Sequence, residues 1–183
     1  MQALELRTAL GDRWGIAMSE NNIGQIACLQ HDYGAARSHL EQGLRTALEV
    51  GDLWLIGLVH HSLGNTQRDL GDSTAARHNY AEALRRYSLI GSKWDLSTLF
   101  EDVAIQELDA EPRAALRLIG AGEAVRQELG SPRSSAQQAE LDEKLSGARA
   151  RLGEDAEREL AAGHGLSPAQ AQDLALEVCE KDR

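Results

Sequence analysis

Gly11-Asp12-Arg13-Trp14, Gly51-Asp52-Leu53-Trp54 and Gly91-Ser92-Lys93-Trp94 follow one another at a spacing of forty residues. The sequence between them repeats as well. Ile23-Gly24 returns as Leu63-Gly64, and Tyr33-Gly34-Ala35-Ala36-Arg37 returns as Ser73-Thr74-Ala75-Ala76-Arg77. Self-similarity at this period marks a stack of similar supersecondary units. Such stacks expose long open faces, which favours surface recognition over pocket chemistry.

Composition agrees with a helical stack. Of the 183 residues 42% are hydrophobic, only 4% are aromatic, and there are three prolines. Such a chain is expected to build helices that meet through small residues. A net charge of −10 opposes direct contact with nucleic acid, which needs a clustered basic surface. Cys28 and Cys179 lie far apart and match no disulfide framework or zinc spacing, so a reducing, cytoplasmic setting is expected. Residues 1–10 lack the apolar run of a signal peptide, and no later stretch reads as a membrane span.

Each forty-residue unit reads as two helices, about 13–30 and 34–50 in the first. Asp12 and Asp52 are expected N-caps, and Gly11 and Gly51 suit the left-handed residue that ends a helix. Gly71-Asp72 repeats this device inside the second unit, and His31-Asp32 is its weaker counterpart in the first. A stop and a start within two residues force antiparallel neighbours. The third unit spans about 93–108 and 112–129, its internal turn one residue shorter and its second helix opened by Pro112. Beyond Gly130-Ser131-Pro132 the echo fades into helices at about 136–152 and 154–162 and a last one opened by Ser167-Pro168. Leu4 to Asp12 reads like Leu44 to Asp52, the end of a second helix without its first. The expected organisation is residues 1–10 as the end of a preceding repeat or a capping helix, then three helix pairs over 11–50, 51–90 and 91–130. Residues 131–183 then form a degenerate repeat plus a C-terminal capping helix, and the chain is expected to start within a longer array.

These units resemble the tetratricopeptide repeat. The large-then-small pair of the first helix is Ile23-Gly24, Leu63-Gly64 and Val103-Ala104. The small-bulky-small series of the second is Ala36-Leu40-Gly43, Ala76-Tyr80-Ala83 and Ala115-Ile119-Gly122. Small residues at a crossing let helix backbones approach, and a bulky one fills the gap beside them. The resemblance implies an all-α fold, a tetratricopeptide-like superhelix or solenoid of antiparallel helix pairs. The departures are the tryptophan position, Ala27 and Gln67 where the family places an aromatic, and a period of forty. Residues 113–126, Gly130-Ser131-Pro132 and the tail from Ala148 to Pro168 are similar to the helical arrays of large bacterial ATP-binding regulators of the LuxR-type and SARP-like class. That likeness implies a scaffold or sensor arm in signalling or transcription regulation.

Catalytic motifs fail one by one. None of Lys93, Lys144 and Lys181 ends a phosphate-binding loop. His60 and His61 are adjacent on a helix and point about 100° apart, so they cannot share a metal. Gly165-Leu166-Ser167-Pro168-Ala169 lacks the second glycine of a nucleophile elbow, and Ser167 reads as an N-cap. The expectation is a non-enzyme with no cofactor and no metal.

Carried over from the family, the face that lines the groove holds Asn21, Gln25 and Cys28, then His61, Asn65 and Arg68, then Glu101, Ile105 and Leu108, with Asn22, Ser62 and Asp102 alongside. Amides both donate and accept, so Asn21, Gln25 and Asn65 suit a peptide backbone; equally, a face open to water is polar without binding anything. The positions that form a carboxylate clamp in some relatives hold Asn21, Gln25, Ser62, Thr98 and Asp102, none of them a cation. Glu101 and Asp102 are expected to repel an anionic peptide end. The leading reading is a module that binds a protein or peptide. A sensor for a peptide or small-molecule effector in the groove stays open, as does self-association through Leu4, Leu6 and Leu10 at the N-terminal edge.

Overall fold

The computed structural model describes residues 2–181; Met1, Asp182 and Arg183, which the sequence reading placed in the flanking segments, lie outside them. Ten helices and no strand occur among the described residues. The chain divides into two compact units, residues 1–90 and 91–183. The division falls at the boundary between the second and third forty-residue repeats.

The first unit holds α1 (Gln2–Leu10), α2 (Arg13–Leu29), α3 (Tyr33–Val50), α4 (Leu53–Asp69) and α5 (Ser73–Ile90). Asp12, Asp32, Asp52 and Asp72 each accept from the amide three residues on, at 2.9–3.1 Å. Each thereby satisfies one free donor of a first helical turn. Gly11, Gly51 and Gly71 take the left-handed conformation, with φ of 67°, 75° and 79°. His31, where the second repeat has Gly71, does the same at φ 59° without being glycine.

The α2–α3 and α4–α5 pairs are knit by the expected small-to-bulky contacts. A Cβ on Gly24 would lie 2.6 Å from Leu40, and one on Gly64 would lie 2.5 Å from the Tyr80 ring. Leu40 and Tyr80 are wholly buried. Glycine is therefore required at both crossings by space, not by backbone conformation. Leu40 also joins Ala17, Ala47, Leu55, Ile56, Val59 and Leu63 in a core that runs through α2, α3 and α4.

The second unit holds α6 (Lys93–Glu107), α7 (Pro112–Glu128), α8 (Ser135–Leu152), α9 (Glu154–His164) and α10 (Pro168–Glu180). α6 and α7 repeat the antiparallel pair, with Val103, Ala104 and Ile119 wholly buried. The helices after them depart from the repeat. α9 runs alongside α7 in the same direction, as the pairs Arg113–Asp155 and Arg117–Glu159 show. Their backbones meet at glycine: a Cβ on Gly120 would overlap the Leu160 carbonyl oxygen, and one on Gly163 that of Arg117. α8 buries only Leu141, Leu145 and Ala148. α10 packs on both α6 and α7, and Lys181 pairs with Glu111 beside the α6–α7 turn. Ser134 and Ser167 open α8 and α10 with full capping boxes, completed by Gln137 and Gln170. Burial pushes the Glu159 carboxyl up, but the Arg117 and Arg113 guanidiniums more than offset it, holding it below the usual carboxylate range.

Candidate functional site

The groove-facing stripe of the first unit opens into a cleft of about 410 Å³ between α2 and α4. Gln25, Cys28 and Leu29 form one wall, Ser62, Asn65, Thr66, Arg68 and Asp69 the other, and His31 and Tyr33 close the end. The i, i+4, i+7 spacing brings Gln25 and Cys28, and Asn65 and Arg68, to this surface as expected. His31 and Tyr33 come from the turn and the start of α3, which a stripe drawn on first helices alone does not include. The sequence signal was His31 standing where the second repeat has Gly71, and the structure holds it at φ 59°. A residue with a side chain at that conformation costs roughly 1–2 kcal/mol relative to glycine, and such outliers gather at functional sites.

Much of the polar stripe is occupied by the fold itself. Gln25 Nε2 donates to Ser62 Oγ at 2.9 Å, tying α2 to α4. Asn65 Oδ1 accepts from the Tyr80 hydroxyl at 2.8 Å and from Arg68 at 3.4 Å, tying α4 to α5. Arg68 also lies 3.2 Å from Asp69 and is 22% exposed in the wall of the cleft. Burial pushes the Cys28 thiol up, with Thr66 opposing and Asp69 adding to the rise. The thiol is thus poorly suited to nucleophilic work. Leu29, 82% exposed, supplies apolar surface at the mouth.

The other expected stripe residues sit elsewhere. Asn21 is 1% exposed and cannot meet a ligand. Asn22 is exposed but does not line the cleft. His61 is half-buried, edge-on to the Tyr80 and Tyr87 rings at 6.3 Å each. Its neighbour His60 points to α5, where Nδ1 lies 2.8 Å from Asn79 Oδ1. Among the described residues no three His, Cys, Asp or Glu side chains converge as metal ligands.

Burial lowers the His60 pKa below its ordinary 6.5, against the Asn79 hydrogen bond, which raises it. The folded state therefore favours neutral imidazole, while the unfolded chain takes up a proton as pH falls below that value. Stability from this site is complete above pH 6.5 and declines toward the lower folded pKa. Melting temperatures between about pH 7.5 and 5 are expected to fall more steeply for the native protein than for His60→Gln.

Glu101 and Asp102 lie in the second unit, half-buried on α6. Glu101 is not the bare anion that the stripe suggested. Arg126 approaches it at 2.5 Å and Arg133 at 2.8 Å, and Arg133 also holds Glu123 at 2.9 Å. The expected repulsion of an anionic end therefore fails at Glu101, because both cations arrive from outside the stripe, on α7 and the loop before α8. A smaller cleft of about 210 Å³ lies here between α6 and α8, lined by Thr98, Glu101 and Ile105 on one side and Gln137, Leu141 and Lys144 on the other.

Helix pairs of this register, glycine at the Leu40 and Tyr80 crossings and a cleft between successive first helices make a testable match. Residues 15–89 match the tetratricopeptide repeat family model. The matched stretch covers nearly all of α2 to α5 and thus the walls of the larger cleft. Among curated proteins and among solved structures, none matches this chain. No helix among the described residues is long and apolar enough to cross a membrane.

Proposed function

We propose that this chain is a non-catalytic interaction module whose α2–α4 cleft receives a peptide segment of a partner protein. The observation that carries this reading is His31, held left-handed at the mouth of that cleft where the sister repeat uses glycine. The repeat matched by residues 15–89 generally mediates protein–protein contact, which supports the same reading. Leu29 and Tyr33 offer apolar surface, and the Arg68 and Asn65 side chains give the opposite wall its polar character. The likeness of residues 113–126 and of the tail to LuxR-type and SARP-like arrays supports reading the module as the arm of a cytoplasmic bacterial signalling or transcription regulator.

The test uses titration against a partner recovered by cross-linking with the native protein. Arg68→Ala is expected to weaken binding by about 1–2 kcal/mol with little change in melting. His31→Gly is expected to weaken binding while leaving stability unchanged or up to about 1 kcal/mol higher. Asn65→Ala is a poorer probe, since it also strips the Tyr80 hydroxyl of its acceptor. Full binding by both Arg68→Ala and His31→Gly rejects the cleft as the site. A second reading, a small-molecule or peptide effector, is supported by the cleft's volume, which lies within the roughly 300–1,000 Å³ of small-ligand sites.

A further inference from the structure

The cleft makes no use of the tryptophans that define the repeat. Trp14 and Trp54, each in the first turn of its helix, stack with centroids 6.3 Å apart and planes inclined by 14°. Trp54 rests against the core of the first unit, whereas Trp14 remains 41% exposed. The same end of the helix stack carries Leu10, Val50 and Leu53, all exposed, in the turns that hold Gly11 and Gly51. Exposed apolar side chains gathered at one end of a helix stack suit an interaction surface.

The third copy of the motif shows what belongs against such a ring. In the second unit the Arg126 guanidinium lies over Trp94, 5.3 Å from the ring centroid. Counting back through the repeat, with its one-residue-shorter turn, the positions matching Arg126 are Ala47 and Tyr87, both fully buried and neither a cation. Asp12 and Asp52 cap the two tryptophan-bearing helices at this edge, where Asp12 also lies 4.0 Å from Arg7 and Glu49 pairs with Arg13. A guanidinium over an indole face is a favourable cation–π contact.

We propose that this edge is a second docking surface, which takes an amphipathic segment of a partner protein with its apolar side on Leu10, Val50 and Leu53 and an arginine against Trp14. A second copy of the chain fits less well, because it brings the same carboxylates and a net charge of −10. The inference is independent of the cleft reading.

The probe is a fluorescein-labelled helical peptide with leucine at i, i+3, i+4 and i+7 and arginine on the flanks, followed by anisotropy on the full chain. A matched peptide carries glutamate in place of arginine. Expected are binding about tenfold tighter for the arginine peptide and a loss of about fivefold or more in Trp14→Ala. Leu29→Asp, in the cleft, is expected to leave that binding unchanged. Should Trp14→Ala melt early, Leu10→Asp and Trp14→Phe serve in its place. Equal affinity for the two peptides, undiminished binding by the edge variants, or loss in Leu29→Asp overturns the proposal. So does a native dimer in sedimentation that Trp14→Ala makes monomeric.

Discussion

Replacing Gly163 by alanine is expected to destabilise the second unit by about 3 kcal/mol, at the upper end of overpacking costs. The added methyl has nowhere to go, since it would overlap the Arg117 carbonyl oxygen, which is backbone within α7. A side chain in the way can rotate aside, but a helix backbone moves only by shifting the whole helix. That shift would strip Glu159 of Arg113 and Arg117, which hold it at 2.8 and 2.5 Å. Thermal or urea unfolding of the variant measures the loss. Gly147→Ala on α8, where an added Cβ meets nothing within 4 Å, is the control and is expected to be neutral or slightly stabilising. A Gly163→Ala melt equal to that of the native protein would mean that α7 and α9 do not cross as closely as described.

Arg133→Ala is expected to cost about 2–3 kcal/mol. Its side chain is only 6% exposed and bridges Glu101 and Glu123. Removing one member of a buried ion pair costs roughly 3–5 kcal/mol, because the remaining charge stays desolvated. The figure is reduced here because Glu101 keeps Arg126 at 2.5 Å and Glu123 keeps His164 at 3.2 Å. Arg133→Lys is expected to recover little, since one ammonium cannot span both carboxylates as a guanidinium does. Hydrogen exchange should show faster opening of α8, whose N-terminal loop this residue pins. Unaltered exchange in α8 would place its anchorage elsewhere.

Helix limits were legible in the sequence to within two residues, because Asp caps and glycine stops are local signals. The crossings at Gly24–Leu40 and Gly64–Tyr80 were legible because both members recur at a fixed period. The Gly120–Gly163 crossing was not, since it joins a repeat to a segment without period. The one-face stripe does bring Gln25, Asn65 and Arg68 to the cleft wall, but Asn21 is buried. Close packing of α3 on α2 contributes to the miss: at Gly43 an added Cβ would lie 3.3 Å from the Ala17 carbonyl oxygen and from Glu20 Cβ. Helical spacing gives the direction of a side chain but not the depth of the helix above it. The cations around Glu101 were hidden for a related reason, since Arg126 and Arg133 belong to segments that the stripe does not traverse.

The two kinds of glycine contact differ in what they allow a protein engineer to do. At Gly24 and Gly64 a side chain fits into a notch, so each forty-residue cassette carries both halves of its own joint. Copies of that cassette should tolerate duplication or exchange with the joint intact. α7 and α9 instead meet main chain to main chain, each supplying the glycine that the other requires. Neither half can be swapped alone, and residues 112–164 must be transplanted as one block.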